Sequence, residues 1–244
     1  MHGGYLERLQ CTAMTETEPQ RLSKCVTRQF NCSRREAELL IEGGWVLVDG
    51  AVVEEPQFKV LEQTITLHPD AVAEQVEPAT ILLHKPAGLE TGSRGLLQLI
   101  SPASRAEDDA SRVRPLKKHF SHLKLLLPLE DTASGLQVLT QDYRVERKLG
   151  EEGNRIEQEW IVEVAGSIVV DGLALLNQPS VKVSWQNETR LRFALKNPQP
   201  GQIANMCASV GLTVLALKRI RVGRISMAGL QPGQWRYLPA HERF

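Results

Sequence analysis

The stretch LPLEDTASGLQVLTQD, residues 127–142, sets two adjacent carboxylates, Glu130 and Asp131, between two short apolar runs. A carboxylate fixed in a loop can attack an electrophilic carbon or take a proton. A solvated turn of the same composition does neither. Thr132, Ala133, Ser134 and Gly135 follow the acids before the chain turns apolar again, so the pattern predicts strand, loop, strand. A second chemically able group is His119 and His122, three residues apart among Lys117, Lys118 and Lys124. The surrounding cations repel a metal ion, and no cysteine or acid completes a ligand set, so no metal is expected. A phosphate-facing surface suits these residues better.

These groups need elements to position them. RLSKCVTRQF, residues 21–30, carries Leu22, Val26 and Phe30 at helical spacing. In CSRREAELLIEGG, Ser33 and Glu36 form a capping box, Ala37, Leu40 and Ile41 make one face, and Gly43 supplies a stop. WVLVDGAVVEE reads as a hairpin turning on Asp49-Gly50. HPDAVAEQVEPA, residues 68–79, is acidic and Pro-bounded, as a linker is. Beyond Thr80, ILLHKPAG, LKLLLPL, GLQVLT, EQEWIVEVAG, VKVSWQ, TRLRFAL and VLALKRIRVG read as strands, with a helix over 202–210. Strands with few helices and no regular alternation predict an α+β fold with a largely antiparallel mixed sheet. Trp45, Trp185 and Trp235 are expected to pack in the core or between strands.

Composition narrows the class. With 42% hydrophobic and 24% charged residues over 244 positions, the chain reads as an ordinary soluble globular protein. It has no run as long as a membrane span and no apolar signal core, so a cytoplasmic monomer is expected. Residues 1–19 read as a disordered extension, with Met14 opening a more typical start. Cys11, Cys25, Cys32 and Cys207 form no CxxC pair and are expected to be reduced. Net charge is zero, but its distribution is uneven. Five basic residues and no acid lie between Arg21 and Arg35, and eight and no acid between Thr189 and Leu238. Charge segregated this way suits a polyanionic partner.

The first of these basic stretches resembles the alpha-L RNA-binding module. The shared residues, in order, are Arg21-Leu22, Lys24, Ser33-Arg34-Arg35, Ala37, Ile41, Gly44, Val46, Val48 and Gly50. The resemblance assigns residues 20–67 to that module and makes Arg21, Lys24, Arg28, Arg34 and Arg35 its RNA-binding side chains. The rest, residues 80–240, resembles the pseudouridine synthases of the RsuA/RluB/RluF branch. Lys85-Pro86 and Gly88 carry one signature; Ser134-Gly135-Leu136, Leu139 and Thr140 a second. Gln202, Met206, Val210-Gly211, Val214-Leu215, Leu217, Arg219 and Gly223 carry a third, closed by Pro232-Gly233, Trp235-Arg236 and Leu238.

Such enzymes isomerise uridine in RNA without a cofactor. The resemblance implies a ribosomal RNA substrate, with transfer RNA as the alternative. It puts the catalytic carboxylate on Glu130, where the family has Asp, with Asp131 as the alternative carboxylate. Trp160 takes the place of the Tyr that stacks on the flipped base, while Lys85, Lys218 and Arg219 border the active site. Four further positions depart from the family: Pro128 replaces the Arg beside the carboxylate, Gln158 a Lys, and Ala204-Asn205 an Arg-Arg pair. The rival reading is a non-catalytic RNA-binding relative that kept the fold.

Overall fold

The computed structural model describes residues 18–90, 92, 94–227 and 229–244; residues 1–17, including Cys11 and Met14, lie outside them. The chain divides into two compact units, Met1–Val76 and Glu77–Phe244.

In the first unit a short strand β1 (Gln20–Arg21) leads into α1 (Leu22–Phe30) and α2 (Arg34–Glu42). Strands β2 (Val46–Val48), β3 (Ala51–Val52), β4 (Lys59–Val60) and β5 (Ile65–Leu67) follow. The capping box forms: Ser33 Oγ accepts from the Glu36 amide, and Glu36 Oε2 accepts from the Ser33 amide at 2.8 Å. Leu22 and Val26 of α1 meet Ala37 and Ile41 of α2 with no exposed surface, so the helical spacing does describe the packed faces. Asp49 and Gly50 join β2 to β3 with φ of 49° and 81°, the two positive values a type I′ hairpin requires.

The second unit is built on β6 (Thr80–Lys85), α3 (Arg94–Gln98), β7 (Lys124–Leu126), β8 (Ser134–Thr140), α4 (Tyr143–Glu151), β9 (Glu157–Gly166) and α5 (Gly172–Leu176). It continues with β10 (Val181–Asn187), β11 (Arg190–Lys196), α6 (Gln202–Ser209), β12 (Leu212–Val222), β13 (Ile225–Ser226) and β14 (Trp235–Tyr237). Seven strands run in the order β10-β11-β9-β12-β8-β6-β14, with β13 on β12 and β7 on β8. Only the β12–β8 pairing is parallel, and the rest are antiparallel, as the strand pattern implies.

The parallel seam explains one residue of the second signature. Gly135 sits opposite Arg219 with φ 112°, and a Cβ there would fall inside van der Waals distance of the Arg219 backbone. Only glycine allows β8 and β12 this approach.

Three details differ from the sequence expectations. The strand expected over 123–129 stops at Leu126, because Leu127 adopts a left-handed φ of 47° that breaks the ladder. The helix α4 follows β8 directly, with Asp142 capping the Arg144 amide at 2.8 Å; its short apolar face, Val145 and Leu149, gives little periodic signal. Trp185 is 37% exposed on the edge strand β10 rather than packed, while Trp235 is fully buried. Among the described residues no helix is long and apolar enough to cross a membrane, and no group of three potential metal ligands converges.

Candidate active site

The two acids stand in the loop 127–133 between the paired strands β7 and β8. This loop is tied down along its whole length. Leu129 and Ala133 are buried plugs, 3% and 0% exposed, so the residues between them face outward. Gln137, fully buried on β8, accepts from the Leu129 amide at 3.1 Å and donates to the Leu126 carbonyl at 2.8 Å.

Lys85, at the end of β6, holds the loop from behind. Its Nζ donates to the carbonyls of Glu130, Asp131 and Ala133 at 3.2, 2.9 and 2.8 Å, and to that of Pro86 at 3.2 Å. The Gly88 amide adds a bond to the Asp131 carbonyl at 2.8 Å. Burial pushes the Lys85 ammonium down from its ordinary pKa, and the nearby Asp131 charge opposes that shift. Four carbonyl dipoles stand in for a counter-ion. The residue is therefore a clamp on the loop rather than a group facing the cleft.

Arg219 holds the same loop from the other side. It is 2% exposed, and its guanidinium donates to the carbonyls of Leu136 and Leu127, both at 2.8 Å, and to Gln158 Oε1 at 3.1 Å. The guanidinium lies 5.5 Å from the centroid of the Trp160 ring, within cation–π range. Burial depresses its pKa. With one neutral side chain and two carbonyls as partners, it is a buried cation held without a carboxylate.

These residues wall a cleft of about 260 Å³. Glu130, Pro128 and Leu127 form one wall, Gln158, Trp160, Leu217 and Arg219 the floor, and the segment 197–200 with Ile203 the rim. Glu130 is exposed, and its Oε1 accepts from the Gly201 amide at 2.9 Å, at the entry to α6. That contact sets a negative charge against the positive end of a helix. Trp160 is 6% exposed, and its indole Nε1 is buried with no hydrogen-bond partner. An unsatisfied buried donor costs about 1–3 kcal/mol.

The cleft gathers Glu130, Trp160 and Arg219 from three distant parts of the sequence, together with Gln158 and Pro128. It does not gather Lys218 or Asp131. Leu217 and Arg219 line it, so strand alternation turns Lys218 to the opposite face, where its charge lowers the pKa of the buried His84, after burial itself. Asp131 is exposed beyond the lining, and its backbone carbonyl serves the Lys85 clamp. His119 is 4% exposed and bonded to the Tyr237 hydroxyl at 3.0 Å, so only His122 of that pair reaches solvent. In the first unit Arg21, Lys24, Arg28, Arg34 and Arg35 are all exposed on or beside the two helices, with Arg34 bonded to Glu38 at 2.9 Å. The sequence reading missed the rim, Asn197-Pro198-Gln199-Pro200-Gly201. Its Pro/Gly density before a helix was the available signal.

Similarity to known proteins follows the same division. Residues 20–65 match the S4 domain. The chain is 26% identical over 236 residues to an uncharacterized RNA pseudouridine synthase of Aquifex aeolicus (strain VF5), covering 91% of this chain and 94% of that protein. It is 26% identical over 241 residues to the ribosomal small subunit pseudouridine synthase A of Escherichia coli (strain K12), covering 91% and 97%. The dual-specificity RNA pseudouridine synthase RluF of Salmonella typhi is 26% identical over 243 residues, 94% of this chain and 78% of that one. A crystal structure of a pseudouridylate synthase superposes with a TM-score of 0.54 at 18% identity, over 90% of this chain and 96% of that chain. The chain is an S4 domain followed by a domain of the pseudouridine synthase fold.

Proposed function

We propose that this protein isomerises uridine to pseudouridine in structured RNA, with ribosomal RNA as the first candidate substrate and Glu130 as the catalytic carboxylate. The observation that carries the proposal is the meeting of Glu130, on a loop clamped by Lys85, with Trp160 and Arg219 around one cleft. The reaction is an isomerisation and needs no cofactor. The target uridine leaves the RNA stack, at a cost of a few kcal/mol, and enters the cleft. The carboxylate then attacks the anomeric carbon or takes a neighbouring proton, the glycosidic bond breaks, and the uracil turns and rejoins through carbon. Trp160 offers an aromatic face near the base. Arg219 supplies positive charge where the departing uracil is anionic. The exposed cations of the S4 domain supply affinity for the RNA backbone.

A second reading has its own observation. The Glu130 carboxylate is bonded to a backbone amide, and Arg219 spends its bonds on Leu127, Leu136 and Gln158. A relative that binds RNA without turning it over would tolerate that arrangement. RNA from a deletion strain, labelled with tritium at the fifth carbon of uridine, separates the two. The enzyme releases tritium from it and loses that release on Glu130→Gln, whereas a binder retains RNA but releases none.

A further inference from the structure

We infer that the segment Arg112–Lys124, with Tyr143 beside it, is a second RNA-binding surface on the synthase-fold unit, separate from the cleft. The inference rests on the reading of this chain as an RNA-acting protein. The segment reads RVRPLKKHFSHLK: six Arg, Lys and His side chains on its outer side and no acid. Its side chains are sorted by burial. Arg112, Arg114, Lys117, Lys118, His122 and Lys124 are exposed. Val113, Leu116, Phe120 and Leu123 turn inward and are wholly or partly buried, most of them against the cluster around Trp235 and Tyr237. Apolar anchoring on one side and cations on the other make a fixed basic ridge rather than a free tail.

Three contacts hold the ridge in place. His119 is bonded to Tyr237 at 3.0 Å, and Phe120 packs edge-on against Trp235 with ring centroids 5.5 Å apart. Gln141, just past β8, donates through Nε2 to the carbonyls of Lys118 and Ser121. Two residues further on, Tyr143 opens α4 with 67% of its surface exposed. Arg144 stands next to it, with its side chain 81% exposed. Lys124 at the end of the ridge is bonded to Glu146 at 2.6 Å. Asp142 is occupied by Arg144 at 3.0 Å. Glu107 and Asp108, which are exposed, precede the ridge in sequence, with Asp108 lying against Gly229.

Cations at fixed spacing beside an exposed aromatic ring are the parts of a sequence-tolerant RNA site: phosphates meet the ridge and one unstacked base meets the ring. The site is distinct from the cleft. Lys124 is paired with Thr140 at the far end of β8, while Glu130 precedes Ser134 at its near end. At roughly 3.4 Å per residue the two ends lie about 20 Å apart. An RNA that fills the cleft must therefore run some way across the unit before it meets the ridge.

The test measures binding of the full chain to a fluorescein-labelled RNA hairpin with a single-stranded flank, across a salt series, so turnover is not needed. The variant Arg112→Gln, Arg114→Gln, Lys117→Gln, Lys118→Gln changes exposed side chains, and its melting temperature is measured beside the wild type's so that a folding defect is told apart from a loss of binding. It should lower affinity at least about tenfold near 0.1 M salt and flatten the salt slope by roughly 0.7–0.9 for each phosphate that is no longer neutralised. Tyr143→Ala should weaken binding about tenfold with the slope unchanged, as loss of stacking does. Arg34→Gln with Arg35→Gln should flatten the slope further, on top of the ridge variant. A ridge variant with the wild-type slope overturns the inference, whatever its affinity. No salt-dependent binding by the wild type would remove the RNA reading as a whole, and the ridge with it.

Discussion

On one face of the large sheet, Arg192 and Arg221 pair with Glu157 and Glu159 across β11, β9 and β12, charge against charge. In the interior of the same sheet, Lys85 and Arg219 are held mainly by backbone carbonyls. A bulge in β12 between Arg219 and Arg221 sends these two arginines to opposite environments, although alternation alone would put them on one face. The outer pairs contribute little net stability, because the attraction within them is offset by drawing Glu159 and Arg221 partly out of water. The inner cations are expensive to bury, so what they hold matters. Both hold the loop that carries Glu130. The difference separates charge that keeps a surface ordered from charge that positions a site.

The inner cations are most sensitive at Lys85. Lys85→Met takes a donor from the Glu130, Asp131 and Ala133 carbonyls, of which Asp131 keeps the Gly88 amide and Glu130 the Ala133 amide, and a loss of about 3 kcal/mol of stability is expected in a denaturant titration. Amide exchange in residues 127–133 should quicken at the same time. A variant as stable as the wild type would mean that the clamp is dispensable.

A smaller effect is expected at the carboxylate itself. Glu130 reaches the Gly201 amide with its full length, and Asp is one bond shorter. Glu130→Asp, although it restores the residue type of the resembled family, should therefore lower kcat by about 100-fold with KM little changed. The Gly201 amide, which donates to the Glu130 carboxylate in the wild type, should lose that bond and exchange faster with solvent. A faster Asp variant would show that Gly201 does not position the group.

The smallest effect belongs to the outer ladder. Hydrogen bonds and charge from Arg221, followed by those from Arg192, hold the Glu159 carboxyl below its ordinary range against the opposing effect of burial. A carboxyl lowered on folding contributes stability above its unfolded pKa and loses it as pH falls through the folded value. Arg221→Ala should therefore cost about 1 kcal/mol at neutral pH, with the difference from wild type shrinking below about pH 4.3. A difference that persists in acid would point to packing instead of charge.

Much of this was legible in the residues. The capping box at Ser33, the Asp49-Gly50 hairpin and the acidic loop between two strands are local patterns, and local chemistry decides them. Gly135 was legible as a signature residue, but its reason, the close approach to Arg219, is a pairing between residues 84 positions apart. The roles of Lys85 and Lys218 were not legible. One became a clamp on the loop and the other turned away from the cleft, and both outcomes depend on which face each strand presents. The rim at 197–201 escaped notice because its part in the cleft comes from tertiary placement, not from any chemical group that the segment carries.

Tritium release from RNA labelled at the fifth carbon of uridine, taken from a deletion strain, tests the central claim most directly. The wild-type chain should release tritium, and Glu130→Gln should reduce that release by roughly 1000-fold or more while leaving RNA affinity unchanged. Equal release by the two proteins, or none by the wild type, would contradict the assignment of Glu130 as the catalytic carboxylate.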